Sequence, residues 1–172
     1  MTLSNDIMEK FESLGIDDID YIPICSAQKI TTDDQLYEDK CRKELEEQTG
    51  EEICKTMLFR NEFDGSNLRR SKQKGGILLE AKYTKPDTTE PVVQQIVVSF
   101  VKMLGVRIRH QEPIRFIIMF SEEKTLDRFS DFIITYYLPV DFEDSSRDSS
   151  LELWHYIPIT MKQSSLVKSF PL

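Results

Sequence analysis

Between Gly76 and Tyr83 the chain reads Gly-Ile-Leu-Leu-Glu-Ala-Lys-Tyr, an apolar run of strand length that carries an acid and an amine near its end. Side chains two apart in a strand share a face, about 6.5 Å from one another. Glu80 and Lys82 therefore project together, while Ala81 faces the opposite layer. The rest of the chain has to supply the layers that cover such a strand, and whatever makes its two charges tolerable.

The flanking patterns supply candidates for both. Thr32 followed by Gln35 has the spacing of a capping box, and Tyr37, Cys41, Leu45 and Gln48 recur at helical intervals up to Gly50, a natural stop. Lys55 to Phe63 alternates as a strand, and Asp64-Gly65 predicts a turn that ends it. Ser66 to Lys74 is loop-like, so the simplest expectation is a hairpin into Gly76-Tyr83. After Pro86, Thr89 or Glu90 caps a helix with Pro91 in its first turn. Val93, Ile96, Val97, Phe100 and Leu104 form its apolar stripe, and Gly105 closes it. Ile114 to Phe120 reads as a buried central strand, and Ser121 as the cap of a helix carrying Leu126, Phe129, Phe132 and Ile133.

The order α-β-β-α-β-α predicts an α/β chain. Beyond it, Leu138 to Asp148 is acidic and Ser-rich like an exposed loop, and Leu151, Leu153, His155 and Ile157 alternate as a last strand. Towards the N-terminus, Ile7, Met8, Phe11 and Leu14 have helical spacing, and Tyr21-Ile22-Pro23-Ile24 is compatible with extended chain.

At 172 residues a single domain with its own core is expected. A net charge of −8 argues against broad, nonspecific affinity for nucleic acid and leaves room only for a local basic surface. Arg69, Arg70, Lys72 and Lys74 crowd the loop between the two candidate strands and are the obvious phosphate contacts. Cys25, Cys41 and Cys54 lie far apart without a CxxC pair or a His doublet, so a zinc site has no support. His110 and His155 are isolated and read as surface or packing residues. Neither a leader peptide nor an apolar run of membrane-spanning length is visible, so no membrane association and an intracellular location, cytoplasmic or nuclear, are expected.

If the strand ending near Asp64 pairs with the one carrying Glu80, neighbours about 4.8 Å apart bring two carboxylates and a lysine to one patch. Carboxylate oxygens are hard ligands suited to Mg²⁺ or Mn²⁺, and Lys82 beside them could orient a water or stabilise a phosphodiester transition state.

Asp64, a gap, then Glu80-Ala81-Lys82 resembles the D…(D/E)xK motif of the PD-(D/E)xK, restriction-endonuclease-like nucleases. Phe63-Asp64-Gly65 with Gly76-Ile77-Leu78-Leu79-Glu80-Ala81-Lys82 is similar to the pattern of restriction-endonuclease-fold domains in bacterial toxins. The resemblance covers roughly residues 36 to 120. It implies an αβββαβ core, a mixed central sheet flanked by helices, over about residues 31–137. Residues 1–30 and 138–172 would then be N- and C-terminal extensions of the same domain.

It also implies Asp64 and Glu80 as ligands of Mg²⁺ or Mn²⁺, Lys82 as the catalytic lysine and Glu38 as a third acidic ligand. Gln94 or Gln95, with Gln95 preferred, would be the functional glutamine of the following helix. A tyrosine four residues beyond the glutamine, typical of RecB-like members, is replaced by Val98 or Ser99. The implied activity is metal-dependent hydrolysis of DNA or RNA. The alternative is a noncatalytic binding or scaffold subunit of that fold, working through a protein partner or a second copy of the chain.

Overall fold

A computed structural model of the chain describes residues 20–24, 29–85, 89–137 and 148–172, without the side chains of 89–93. The helical pattern from Ile7 to Leu14, Cys25 and all but the end of the acidic segment 138–148 lie outside the described residues. So do the capping side chains expected at Thr89 and Glu90.

Helix α1 (Asp33–Thr49) forms where its capping residues predict. The Thr32 hydroxyl accepts the Gln35 amide hydrogen at 3.3 Å. The Gln35 side chain reaches back to the amide and hydroxyl of Thr31, at 2.9 and 3.0 Å, one residue beyond a regular capping box. Gly50 ends the helix at φ 71°, its amide donating to the Glu46 carbonyl at 2.8 Å. Tyr37, Cys41 and Leu45 form its buried stripe.

The single strand expected over Lys55–Phe63 is instead a hairpin of β2 (Cys54–Leu58) and β3 (Asn61–Ser66). Phe59 and Arg60 turn the chain at φ 46° and 64°. Two left-handed residues match the twist of a hairpin, a task usually given to Asn-Gly. Here tertiary contacts hold the less suited pair: the Tyr21 ring lies 5.2 Å from Phe59 and the Arg109 guanidinium 5.2 Å over it. An apolar residue at the tip concealed the turn.

Asp64-Gly65 does not end a strand either. Cys54 pairs with Ser66 and Thr56 with Phe63, so Lys55 alone stands opposite Asp64 and Gly65 together. That is a β-bulge, which bends its strand and re-aims side chains. A Cβ on Gly65 would lie 2.8 Å from Ile53 Cγ2, 3.1 Å from Leu79 Cδ2 and 3.2 Å from Arg42 Cγ, so glycine fits where the side chains of Ile53, Leu79 and Arg42 close on the bulge.

Strand β4 (Gly76–Lys82) runs antiparallel to β3, with Gly65 opposite Leu79, and parallel to β5 (Ile114–Phe120), with Lys82 opposite Phe120. The crossover between them is α2 (Thr89–Arg109). Gly105 does not close this helix: a Cβ there would meet no atom within 4 Å, and the helix continues for another turn. Ser121 does not cap the next helix, because its hydroxyl accepts the Thr84 amide hydrogen at 2.8 Å. Helix α3 (Glu123–Phe132) starts one residue later and passes into a π-helical turn, Ile133–Tyr137.

Strand β6 (Ser150–His155) adds parallel to β5, and β7 (Ser165–Pro171), not anticipated, adds antiparallel to β6. With β1 (Tyr21–Ile24) on the far edge, the sheet formed by the described residues is seven-stranded, mixed, and ordered β1 to β7 in sequence. Both segments flanking the expected core thus contribute strands to one sheet.

The sheet separates two apolar layers. Tyr37, Cys41 and Leu45 of α1 pack with Leu79, Ile117 and Met119 on one face. Ile96, Phe100 and Met103 of α2 and Leu126 and Phe129 of α3 pack with Leu78, Phe116 and Ile118 on the other. The chain is therefore α/β, as the alternation of elements predicts. Among the described residues, no helix is long and apolar enough to cross a membrane.

Candidate functional site

The bulge in β3 fixes the first functional side chain. Asp64 Oδ2 accepts the amide hydrogen of Ala81 at 2.8 Å, and the Asp64 carbonyl accepts from Arg42 Nη1 of α1 at 2.6 Å. Asp64 is thereby tied to the backbone between Glu80 and Lys82, the two residues whose strand spacing predicts a shared face. They do share it: Lys82 Nζ lies 2.6 Å from Glu80 Oε2. All three residues lie toward the carboxyl end of β4, the edge at which parallel strands of open α/β sheets commonly bind ligands.

A cavity of about 210 Å³ opens there, lined by Asp34, Glu38, Asp64, Ala81, Lys82, Tyr83 and Gln95. Four of the expected site residues, Glu38, Asp64, Lys82 and Gln95, therefore face one space. Gln94 is exposed and does not line it. Glu80 is not in the lining; it is 3% exposed and turned toward α2. Its Oε2 also accepts from the Ser99 hydroxyl at 2.9 Å, while Oε1 is buried with no hydrogen-bond partner, 3.6 Å from Lys102 Nζ.

The acids repel one another. Burial, reinforced by the charges of Glu80 and Glu38, pushes the Asp64 carboxyl up to about 7, against the Lys82 charge and the Ala81 hydrogen bond. Burial also raises Glu38, with Lys55, Arg42 and Lys82 pulling against it and Glu80 adding to it. Lys55 Nζ is 3.8 Å from Glu38 and 2.7 Å from Glu62.

Among the described residues, no group of three or more His, Cys, Asp or Glu side chains is arranged to hold a metal ion. The donor chemistry of the Asp64–Glu80 pair nevertheless suits a hard cation. Magnesium commonly keeps several waters and takes only one or two carboxylates.

Arg69, Arg70, Lys72 and Lys74 lie where their loop predicts, between β3 and β4, but not beside this cavity. The loop joins β4 at Gly76, whereas Lys82 is the last residue of that strand, about 20 Å further on at 3.3 Å per residue. Arg69 turns to Glu52 at 3.9 Å and to the carbonyls of Ser66 and Leu68. The loop is pinned instead to the end of α2, by Gln111 N–H to the Ser71 carbonyl at 3.3 Å and by His110 Nε2, 3.2 Å from the Gln73 carbonyl. His110 thus serves packing, with Nδ1 3.0 Å from the Tyr21 hydroxyl.

Four residues at the site escaped the motif. Asp34 lies one helical turn before Glu38, and the i, i+4 spacing was the available signal. Ser99 and Lys102 share the site-facing side of α2 with Gln95 at i+4 and i+7, outside that helix's apolar stripe. Tyr83 directly follows Lys82, and its ring packs 5.7 Å from Tyr37.

Comparison of the chain with protein-family models, with curated proteins and with solved structures returned no match.

Proposed function

We propose that this chain is a Mg²⁺- or Mn²⁺-dependent nuclease that hydrolyses phosphodiester bonds in nucleic acid. The observation that carries this reading is the Asp64 to Ala81 hydrogen bond, which sets an acid from β3 against the Glu80–Lys82 pair of β4. The order from α1 to β5, one helix, three antiparallel strands, a crossover helix and a parallel strand, supports it. That order matches the αβββαβ core implied by the D…(D/E)xK resemblance.

In this reading Asp64 and Glu80 hold the cation, and Glu38 faces it from α1. The bound ion supplies charge neutralisation at the phosphate and a more acidic water. Lys82, already on the cavity wall, directs its ammonium to a phosphate oxygen once it leaves Glu80, stabilising negative charge where it develops. Gln95 offers an amide donor from α2. Without a cation the Asp64 carboxyl lies near 7, so below neutral pH a proton competes with the ion for it.

The test is incubation of plasmid DNA and of RNA with the full chain in Mg²⁺, Mn²⁺ or EDTA. Metal-dependent products are expected, and Lys82→Ala should lower the rate by roughly 10²–10³-fold or more. No metal-dependent cleavage, or Lys82→Ala as active as the natural chain, overturns the reading.

One observation favours a second reading, a binding subunit that acts through a protein partner. Val98, Val101 and Ile108 of α2 are 60%, 60% and 71% exposed on one side of the helix. Copurification of a partner that Val101→Glu abolishes, with no Mn²⁺ binding, would support that alternative.

A further inference from the structure

Glu80 is more heavily countered than one ion pair requires. A carboxylate with 4% side-chain exposure must be paired to stay charged, and Lys82 at 2.6 Å already does this. Yet α2 brings two more groups to it: Ser99 donates its hydroxyl hydrogen to Oε2 at 2.9 Å, and Lys102 holds its ammonium 3.6 Å from Oε1. Lys102 is itself fixed to β3. Its Nζ donates to the Glu62 carbonyl at 3.0 Å and lies 5.1 Å over the Phe63 ring, the residue before Asp64. The ammonium is thus parked just beyond hydrogen-bond range of an oxygen that has no hydrogen-bond partner.

Were Lys82 the sole counter-ion, it could not leave Glu80 without stranding a buried charge, a strongly unfavourable step. It would then be locked in the pair and useless to anything in the cavity it lines. We propose that Lys102 is a positioning residue, a standby counter-ion that with Ser99 holds Glu80 charged and in place when the Lys82 ammonium turns into the cavity. A shift of well under 1 Å closes Lys102 onto Oε1, within ordinary side-chain adjustment. What Lys82 does after release rests on the nuclease reading; the exchange of counter-ions does not.

The two are separated by unfolding experiments that need no substrate. Urea midpoints are compared for the full chain, Lys82→Met, Lys102→Met and the double variant, each with Glu80 and with Glu80→Gln. If either lysine can serve, the double variant loses more than the two single losses together, and Glu80→Gln removes the excess. Additive losses, or an excess that persists with Glu80→Gln, overturn the proposal. Should the double variant not fold at neutral pH, rescue by Glu80→Gln supports the proposal and failure of that rescue overturns it.

In a chain that cleaves nucleic acid, Lys102→Met should lower kcat about tenfold with KM unchanged, and Lys102→Arg should restore most of it. An unchanged kcat contradicts the role. A natural chain that cleaves nothing contradicts the nuclease reading alone and leaves the unfolding result to decide the counter-ion exchange.

Discussion

The carboxylate of Asp64 accepts the amide hydrogen of Ala81 at 2.8 Å, so a bulged residue of β3 is bonded to the backbone between Glu80 and Lys82 of β4. The bond replaces a rung of the β-ladder with a side chain. It places a carboxyl with a raised proton affinity beside a second acid, and the consequences are measurable.

Asp64 titrates near 7 in the folded chain and near 3.9 when unfolded. Between those values the folded chain holds a proton that the unfolded chain has released, so stability falls as pH rises through that window and levels off above it. The expected fall is on the order of 2–4 kcal/mol, the larger part of it between pH 5 and pH 8. Urea unfolding at pH 5 and pH 8 should show it in the natural chain and a flatter response in Asp64→Asn. Equal slopes in the two proteins would contradict the assignment. If Asp64 is a cation ligand as proposed, the same proton competes with the cation, and Mn²⁺ affinity should rise as pH passes through 7.

Gly65 is the other half of the bulge. A methyl group there meets Ile53 Cγ2 at 2.8 Å, Leu79 Cδ2 at 3.1 Å and Arg42 Cγ at 3.2 Å, so Gly65→Ala must displace the side chains packed on the bulge. A loss of about 1–3 kcal/mol in urea unfolding is expected. Because Arg42 also holds the Asp64 carbonyl, cleavage should fall with it if the chain is the nuclease proposed. An unchanged unfolding midpoint would contradict the close packing at Gly65.

Most of the helical layer was legible in the sequence, because capping residues and the i, i+3, i+4 stripe act locally. The Thr32 cap, the Gly50 stop and the inward face of α2 follow from neighbours within two turns. What was not legible is set by contacts distant in sequence. Phe59-Arg60 turns without glycine because Tyr21 and Arg109 pack on it, and the Asp64-Gly65 bulge is held by Arg42, Ile53 and Ala81, all distant in sequence. Strand β7 pairs only with β6, and its exposed pattern carries little alternation to read. At the site, spacing predicted that Glu80 and Lys82 adjoin. The turn of Glu80 away from the cavity depends on Ser99 and Lys102, which no local pattern connects to it.

On the other side of the sheet's central axis, Arg115 grips Glu152 with two hydrogen bonds of 2.8 and 2.9 Å, and Trp154 Nε1 donates to the same carboxylate at 2.9 Å. Burial pulls the Glu152 carboxyl up, but these donors outweigh it and hold it below its ordinary value. Such a group stabilises above its unfolded pKa and loses the contribution as pH falls through its folded one. Arg115→Met should therefore lower stability by about 1 kcal/mol at pH 7, a figure discounted for the half-open position of the arginine. The difference from the natural chain should shrink toward pH 3. A difference that does not change with pH would point to lost packing rather than lost charge.

Whether Asp64 and Glu80 share a divalent cation, as proposed, is tested most directly by a crystal of the full chain soaked in Mn²⁺. One anomalous peak between the two carboxylates is predicted, with the Lys82 ammonium moved off Glu80 and Lys102 closed onto it. No peak at that position, with Lys82 still paired to Glu80, would contradict the account.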